Sequence, residues 1–353
     1  MTRFSVPGRF QKSLSGEAAQ CLTCERTCVL GPGDWGTCRT RRNIGGVVHT
    51  TTWRRRGTTS LNPVEKKPLY HFHPGTSALT YGAPGCNFKC FWCQNHDLSQ
   101  RVPPPGASER PLTPEEFVGT AKELGAAGTS LSFSEPTLAL EFALELFPLA
   151  RREGLYNTFV TNGYLTVQAL DALVEAGLDA VNVDVKGDEW FYLAHCGAAL
   201  DKVLRNVSRL KSAGVHVELA TLVLPGLNDD PAEFADLCDH VLQAAGSDAP
   251  WHVNRFFPRW KARERGLDRP TPVATLEELA SVAKRAGFDH VYVGNVPGHR
   301  GQNTTCPACG HLLVRREYPR VQVVGLRVER GGPRERRVLG YCDHCGASVP
   351  GRW

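Results

Sequence analysis

The sequence predicts an α/β fold with parallel strands, and three observations carry that prediction. Seven short β-branched or apolar runs recur through the middle of the chain, at residues 79–83, 130–133, 156–161, 180–185, 216–224, 251–257 and 290–294. Stretches of helical period lie between several of them, and helix-start signals stand where those stretches begin. Thr113-Pro114-Glu115-Glu116 offers an N-cap, a proline at the first helical position and a capping-box glutamate. Val167, Leu170, Leu173 and Val174 fall on one helical face. Asp230-Pro231 with Glu233 repeats the start signal, and Phe234, Leu237 and Val241 then mark a face; Thr275 with Glu278 forms a third box. Strands alternating with such helices imply βα units, in a partial barrel or a doubly wound sheet, and in either case the strand C-terminal ends carry the site.

The chain has 353 residues, enough for two domains or one large domain with appendages. With 41% hydrophobic and 22% charged residues it reads as soluble and globular. The net charge of +5 resides mostly beyond residue 300, which excludes a histone-like polycation. Thirteen cysteines are the unusual count. Residues 1–16 lack the apolar core of a secretory leader, and no stretch approaches the ~20 apolar residues that span a bilayer. The cysteines also cluster at ligand-like spacings, so metal or iron–sulfur chemistry in a reducing cytoplasm is expected rather than a disulfide framework.

Those clusters divide the chain into residues 1–62, 63–300 and 301–353. In the middle part, Cys86, Cys90 and Cys93 are spaced C-x3-C-x2-C directly after the first expected strand. Three thiolates in one loop suit a [4Fe–4S] cluster, which takes four ligands, so one iron would keep an open position. The alternative is a zinc site borrowing a distant histidine.

This spacing, with Trp92 before the third cysteine, resembles the radical S-adenosylmethionine (SAM) superfamily. Asn62 to Phe72, Gly85-Cys86-Asn87-Phe88, Cys93-Gln94-Asn95, Phe133 to Thr137, Thr161-Asn162-Gly163, Asp184-Val185-Lys186, Leu222 to Gly226, Trp251 to Pro258 and Val291 to Asn295 extend the likeness over nearly the whole chain. They look like the radical SAM member of the AmmeMemoRadiSam system, which is related to activases of pyruvate formate-lyase. The resemblance implies a partial (β/α)6 TIM-like barrel in which SAM chelates the open iron and is reductively cleaved to a 5′-deoxyadenosyl radical. It places Cys86, Cys90 and Cys93 on the cluster, and Trp92 and Gln94 at the adenine. Ser134 and Glu135 replace the family's Gly-Gly-Glu turn at the SAM amino group. Asp184 and Lys186 fall at the polar end or ribose of SAM, and His252 near the ribose. Plainer readings exist: an Asp184–Lys186 structural ion pair, a strand-ending turn at Glu135, a satisfied core histidine at position 252. The resemblance further implies an electron donor such as flavodoxin or ferredoxin, and AMMECR1-like and Memo-like proteins as companions.

Cys306-x2-Cys309-Gly310 and Cys342-x2-Cys345-Gly346 are paired knuckles separated by β-prone residues, the pattern of a C-terminal zinc ribbon. A redox dithiol pair or an iron–sulfur site is the alternative. Cys21, Cys24, Cys28 and Cys38 form an N-terminal Cys-rich cap that could hold zinc or a second cluster, and Gly31, Gly33 and Gly36 tilt the reading toward zinc. Cys196 and Cys238 read as packing cysteines. Arg54, Arg55, Arg56, Arg315, Arg316, Arg334, Arg336 and Arg337 raise nucleic acid as a partner, but a solvated basic face explains them more simply, since aromatic interleaving is thin. The resemblance therefore implies a radical SAM enzyme acting on an unidentified substrate, with a protein as the candidate its activase relatives suggest. A glycyl-radical activase, a radical SAM enzyme modifying nucleic acid, and a non-catalytic iron–sulfur or zinc scaffold are the rivals.

Overall fold

A computed structural model describes residues 3–106, 108–318, 320–329 and 340–353. The chain forms two compact units. One comprises Met1–Asn62, Ser77–Ala180 and His195–Ala198, and the other Pro63–Thr76, Val181–Ala194 and Ala199–Trp353.

In the first unit the N-terminal segment makes two small antiparallel sheets, Val6–Pro7 with Val47–Thr50 and Arg41–Ile44, and Gln11–Ser13 with Ala19–Cys21 and Val29–Leu30. Their shared core is little more than Ala19, Cys21, Leu30 and Val48, too small to hold the segment by apolar burial alone. Strands β1 (Ser77–Gly82), β2 (Gly128–Leu131) and β3 (Tyr156–Thr161) follow and run parallel, with Ala78 opposite Gly128 and Gly128 opposite Tyr156. Almost every residue of β1 and β2 is buried, which is why these strands read as continuous apolar or threonine-rich runs and not as alternation. Helices α1 (Pro114–Glu123), α2 (Leu140–Arg152) and α3 (Val167–Ala176) pack their apolar faces. Helix α2 alone buries Leu140, Phe142, Leu146 and Phe147, each stabilising by roughly 1.5–3 kcal/mol.

The second unit holds all but the first residue of β4 (Ala180–Asp184), and β5 (His216–Val223), β6 (Trp251–Arg255) and β7 (Val291–Gly294). The last three are parallel, with Leu219 opposite Trp251 and Trp251 opposite Val291. Helices α4 (Leu200–Ser212), α5 (Pro231–Ala245) and α6 (Val273–Ala286) intervene. Two three-stranded antiparallel sheets after residue 303 form a ribbon around Leu313, Val314 and Val349. Among the described residues no helix is long and apolar enough to cross a membrane.

The helix starts follow the expected chemistry with one correction. Thr113 Oγ1 accepts from Glu116 N at 3.1 Å, and Asp230 Oδ1 accepts from Ala232 N and Glu233 N at 2.8 and 3.0 Å. Thr275, however, is no cap. Helix α6 begins two residues earlier, at Val273, with Pro272 at the cap. The reason lies upstream: Thr271 Oγ1 donates to Val223 O at 2.6 Å and accepts from Phe256 N at 3.0 Å, which fixes the chain before Pro272 sets the helical entry.

Candidate metal and cofactor site

Strand β1 delivers the chain to a tight loop at its C-terminal end, where Cys86, Cys90 and Cys93 stand. Gly85 makes the turn with φ +97°, and a Cβ there would lie 2.5 Å from Thr40 Cγ2, so glycine is required twice over. Cys86 Sγ accepts from Phe88 N at 3.4 Å, Cys93 Sγ meets Ser99 Oγ at 3.2 Å, and Cys93 N donates to Cys90 O at 3.2 Å. Burial pushes the Cys86 thiol well up, with the Glu135 carboxylate adding to it. No three of these thiols and their His, Cys, Asp or Glu neighbours bring donor atoms within 4.8 Å of one another. The loop thus does not close on a single ion, which disfavours the zinc alternative and fits sulfurs that each ligate a different iron.

Glu135, 2% exposed, follows β2. Its Oε1 accepts from Thr137 N, Thr137 Oγ1 and Thr161 Oγ1 at 3.0, 2.6 and 2.7 Å, while Oε2 accepts from Asn162 N at 2.8 Å. Burial still holds its carboxyl above the usual range. Oε2, with one donor, keeps capacity for another. Asn162 Nδ2 donates to Asn87 Oδ1 at 2.7 Å, which joins the end of β3 to the cysteine loop. Ser134 stands where the resemblance implies a glycine. The left-handed backbone falls on Phe133, φ +72°, and the Ser134 hydroxyl donates to Ala83 O. A bulky residue in that region is strained, and such strain gathers at functional turns. Trp92 is buried edge-on against Phe91, ring centres 4.7 Å apart, whereas Gln94 is exposed.

In the second unit, Asp184 closes β4 and Lys186 Nζ donates to its Oδ2 at 3.1 Å. The Asp184 side chain stays 42% exposed at the strand's C-terminal end. His252 departs from expectation. It is the second residue of β6, at the N-terminal end, and its Nε2 bonds Glu218 Oε2 at 2.7 Å with both side chains buried. Strand order along the sequence does not say which end of a strand a residue occupies, and here the core reading of His252 describes it. The residue that organises this interior, Glu218, escaped the sequence reading. Its oxygens also accept from Tyr70 N at 2.9 Å, His71 N at 2.7 Å and His216 Nε2 at 2.9 Å. Burial alone would raise its carboxyl, but the hydrogen bonds from His216 and His252 win and hold it well below the usual carboxylate range. His216 and Glu218, two apart on one strand and so on one face, were the signal available.

Cys306, Cys309, Cys342 and Cys345 converge. Sγ–Sγ separations are 3.6 Å for Cys306–Cys345 and 3.7 Å for Cys309–Cys342, and all four sulfurs lie within 4.8 Å. Four thiolates tetrahedrally around one zinc at ~2.3 Å would stand about 3.8 Å apart. Gly310 N and Gly346 N donate to Cys306 O and Cys342 O, each at 2.9 Å, with φ of +74° and +76°, so the two knuckles are copies of one turn.

The arginines divide: Arg56 and Arg315 are exposed, Arg54 is half-buried, and Arg55 is buried. Arg54, Arg55 and Arg56 pair with Glu145, Glu109 and Glu116, and Arg316 is buried, donating to Tyr70 O at 2.7 Å. Arg334, Arg336 and Arg337 lie outside the described residues.

The profile of the radical SAM superfamily matches residues 80–238. An uncharacterized protein of Methanocaldococcus jannaschii is 37% identical over 320 residues, covering 91% of this chain and 94% of its own. A GTP 3',8-cyclase of Chlorobaculum tepidum is 29% identical over 238 residues, 63% of this chain and 68% of its own. Among solved structures, a radical SAM methyltransferase from Sphaerobacter thermophilus shares the fold with TM-score 0.51 and 16% identity, over 88% of this chain and 81% of that one. The matched stretch begins within β1 and takes in the cysteine loop, Glu135 and Asp184: this chain belongs to the radical SAM superfamily.

Proposed function

We propose that Cys86, Cys90 and Cys93 hold a [4Fe–4S] cluster and that the chain is a SAM-cleaving enzyme of the AmmeMemoRadiSam type, its core a partial (β/α)6 barrel. The observation that carries this is the loop itself: three thiols, spread too widely for one ion, at the C-terminal end of a buried parallel strand. When bound, the cluster supplies the electron that splits the SAM sulfonium and yields a 5′-deoxyadenosyl radical able to take hydrogen from a substrate.

This chain's own residues do the binding and the shielding. Glu135, fixed by Thr137, Thr161 and Asn162, offers Oε2 to the SAM amino group. Trp92 and Gln94 serve the adenine, and Asp184 with Lys186 serves the polar end, by the family's sequence pattern. His252 is left out of the SAM contacts because Glu218 holds its Nε2. Residues 1–62 act as a metal-bound cap, 63–300 as the radical core and 301–353 as a zinc ribbon. The substrate is a protein by likeness to the activases, the electrons come from a flavodoxin or ferredoxin in the cytoplasm, and the AMMECR1-like and Memo-like proteins are the companions.

The test is anaerobic reconstitution with iron and sulfide, then dithionite and SAM. Wild type should release 5′-deoxyadenosine and Cys90→Ala should release at least about a hundredfold less. Equal yields from the two would remove the proposal.

A further inference from the structure

Two cysteine quartets in one chain differ in spacing. Those of the ribbon stand as four ligands of one ion should, whereas no three of Cys21, Cys24, Cys28 and Cys38 bring their sulfurs within 4.8 Å of one another. Yet the four line a common narrow cavity, with Arg26, Arg41 and Asn87 among its other walls. Three of the thiols are buried, and donors already point at the sulfurs. Thr40 Oγ1 donates to Cys38 Sγ at 3.2 Å, and Thr37 Oγ1 meets Cys28 Sγ at 3.7 Å. Hydrogen bonds to sulfur are how a protein tunes an iron–sulfur centre. A mononuclear site, zinc or iron, needs sulfurs about 3.8 Å apart.

The geometry points to an iron–sulfur cluster, not zinc, bound by Cys21, Cys24, Cys28 and Cys38 beside the Cys86 loop. The wide set suits ligands that each hold a separate corner of a larger anionic core. The surroundings complement that charge. Arg26 donates from Nε to Asn87 O at 2.9 Å and from its terminal nitrogens to Cys196 O at 2.6 Å and to Gly197 O, and among the described residues no carboxylate pairs with it. Arg26 therefore shares the wall of the quartet's cavity with Asn87, the neighbour of Cys86. This inference concerns a centre separate from the one proposed to cleave SAM, and each can fail without the other.

The experiment measures iron, acid-labile sulfide and zinc in the full chain after anaerobic reconstitution. Wild type should hold about six to eight irons and one zinc per chain. A Cys86→Ala/Cys90→Ala/Cys93→Ala chain should lose 5′-deoxyadenosine formation yet keep about a third to a half of the iron with equimolar sulfide. Cys24→Ser/Cys38→Ser should lose that same share and leave zinc unchanged. About four irons with two zincs in wild type, or iron without sulfide in the triple variant, would overturn the inference. If the triple variant does not fold, the wild-type iron-to-zinc ratio decides alone. Wild type that carries both clusters but makes no 5′-deoxyadenosine would refute the function and leave this centre standing.

Discussion

Glu218 accepts hydrogen bonds from two main-chain amides and two imidazoles without exposure to water. Glu218→Ala, which strips all four donors of their acceptor, should destabilise the protein by about 3–5 kcal/mol, read as a lowered urea midpoint. The same neighbourhood sets an acid limit. Burial lowers His290 to about 4 and His71 well below its usual range, so both are neutral when folded and protonate on unfolding. Their contribution is present above about pH 6.5 and is lost as pH falls from there toward 4. Glu218 works the same way lower down: its folded value is depressed, so its contribution is present above about pH 4.3 and lost below it. His290→Phe should flatten the first window, by up to about 3 kcal/mol between pH 7 and pH 4. An unchanged pH profile of the midpoint would show that His290 is not held neutral. At this scale the sequence was legible where spacing in the chain sets spacing in space, as in each of the knuckles at Cys306–Cys309 and Cys342–Cys345. It was illegible where partners come from other segments of the chain, as Tyr70, His71 and His252 do around Glu218.

Strand positions were legible to within two residues because parallel buried strands leave continuous apolar runs, and β3 was read at its observed limits. Helix starts were legible where the cap is local, at Thr113 and Asp230, and misread at Thr275, where the long-range bonds of Thr271 decide the entry. That difference is measurable. Thr113→Ala should cost about 1 kcal/mol while Thr275→Ala should stay within about 0.5 kcal/mol of wild type by thermal unfolding. A larger loss at Thr275 would contradict the observed start of α6. Gly85→Ala asks more of the turn after β1, since the new methyl meets Thr40 and the backbone sits at positive φ. It should cost about 1–3 kcal/mol and lower the iron retained by the cysteine loop, measured as iron per chain.

For the whole molecule, the grouping of the cysteines was readable and the separation of their sulfurs was not. Sequence spacing alone treats C-x2-C in the N-terminal segment and in the ribbon alike, whereas the sulfur separations set them apart. The ribbon's own apolar core is small, so a strong chelator, by removing the zinc proposed for it, should unfold that segment first, seen as a separate low-temperature transition or early proteolysis after residue 303. Retention of a single transition would mean the ribbon stands without metal.

The carbonyls gripped by Arg26 lie 61, 170 and 171 residues away along the chain. Contacts that distant are closed only after nearer ones have paid for bringing the chain together. By that rule the brace across the cysteine loop should close late in self-assembly. Renaturation in the presence of oxygen should thus yield well-formed but metal-incompetent material, and exclusion of oxygen matters most before this one guanidinium has found its seat.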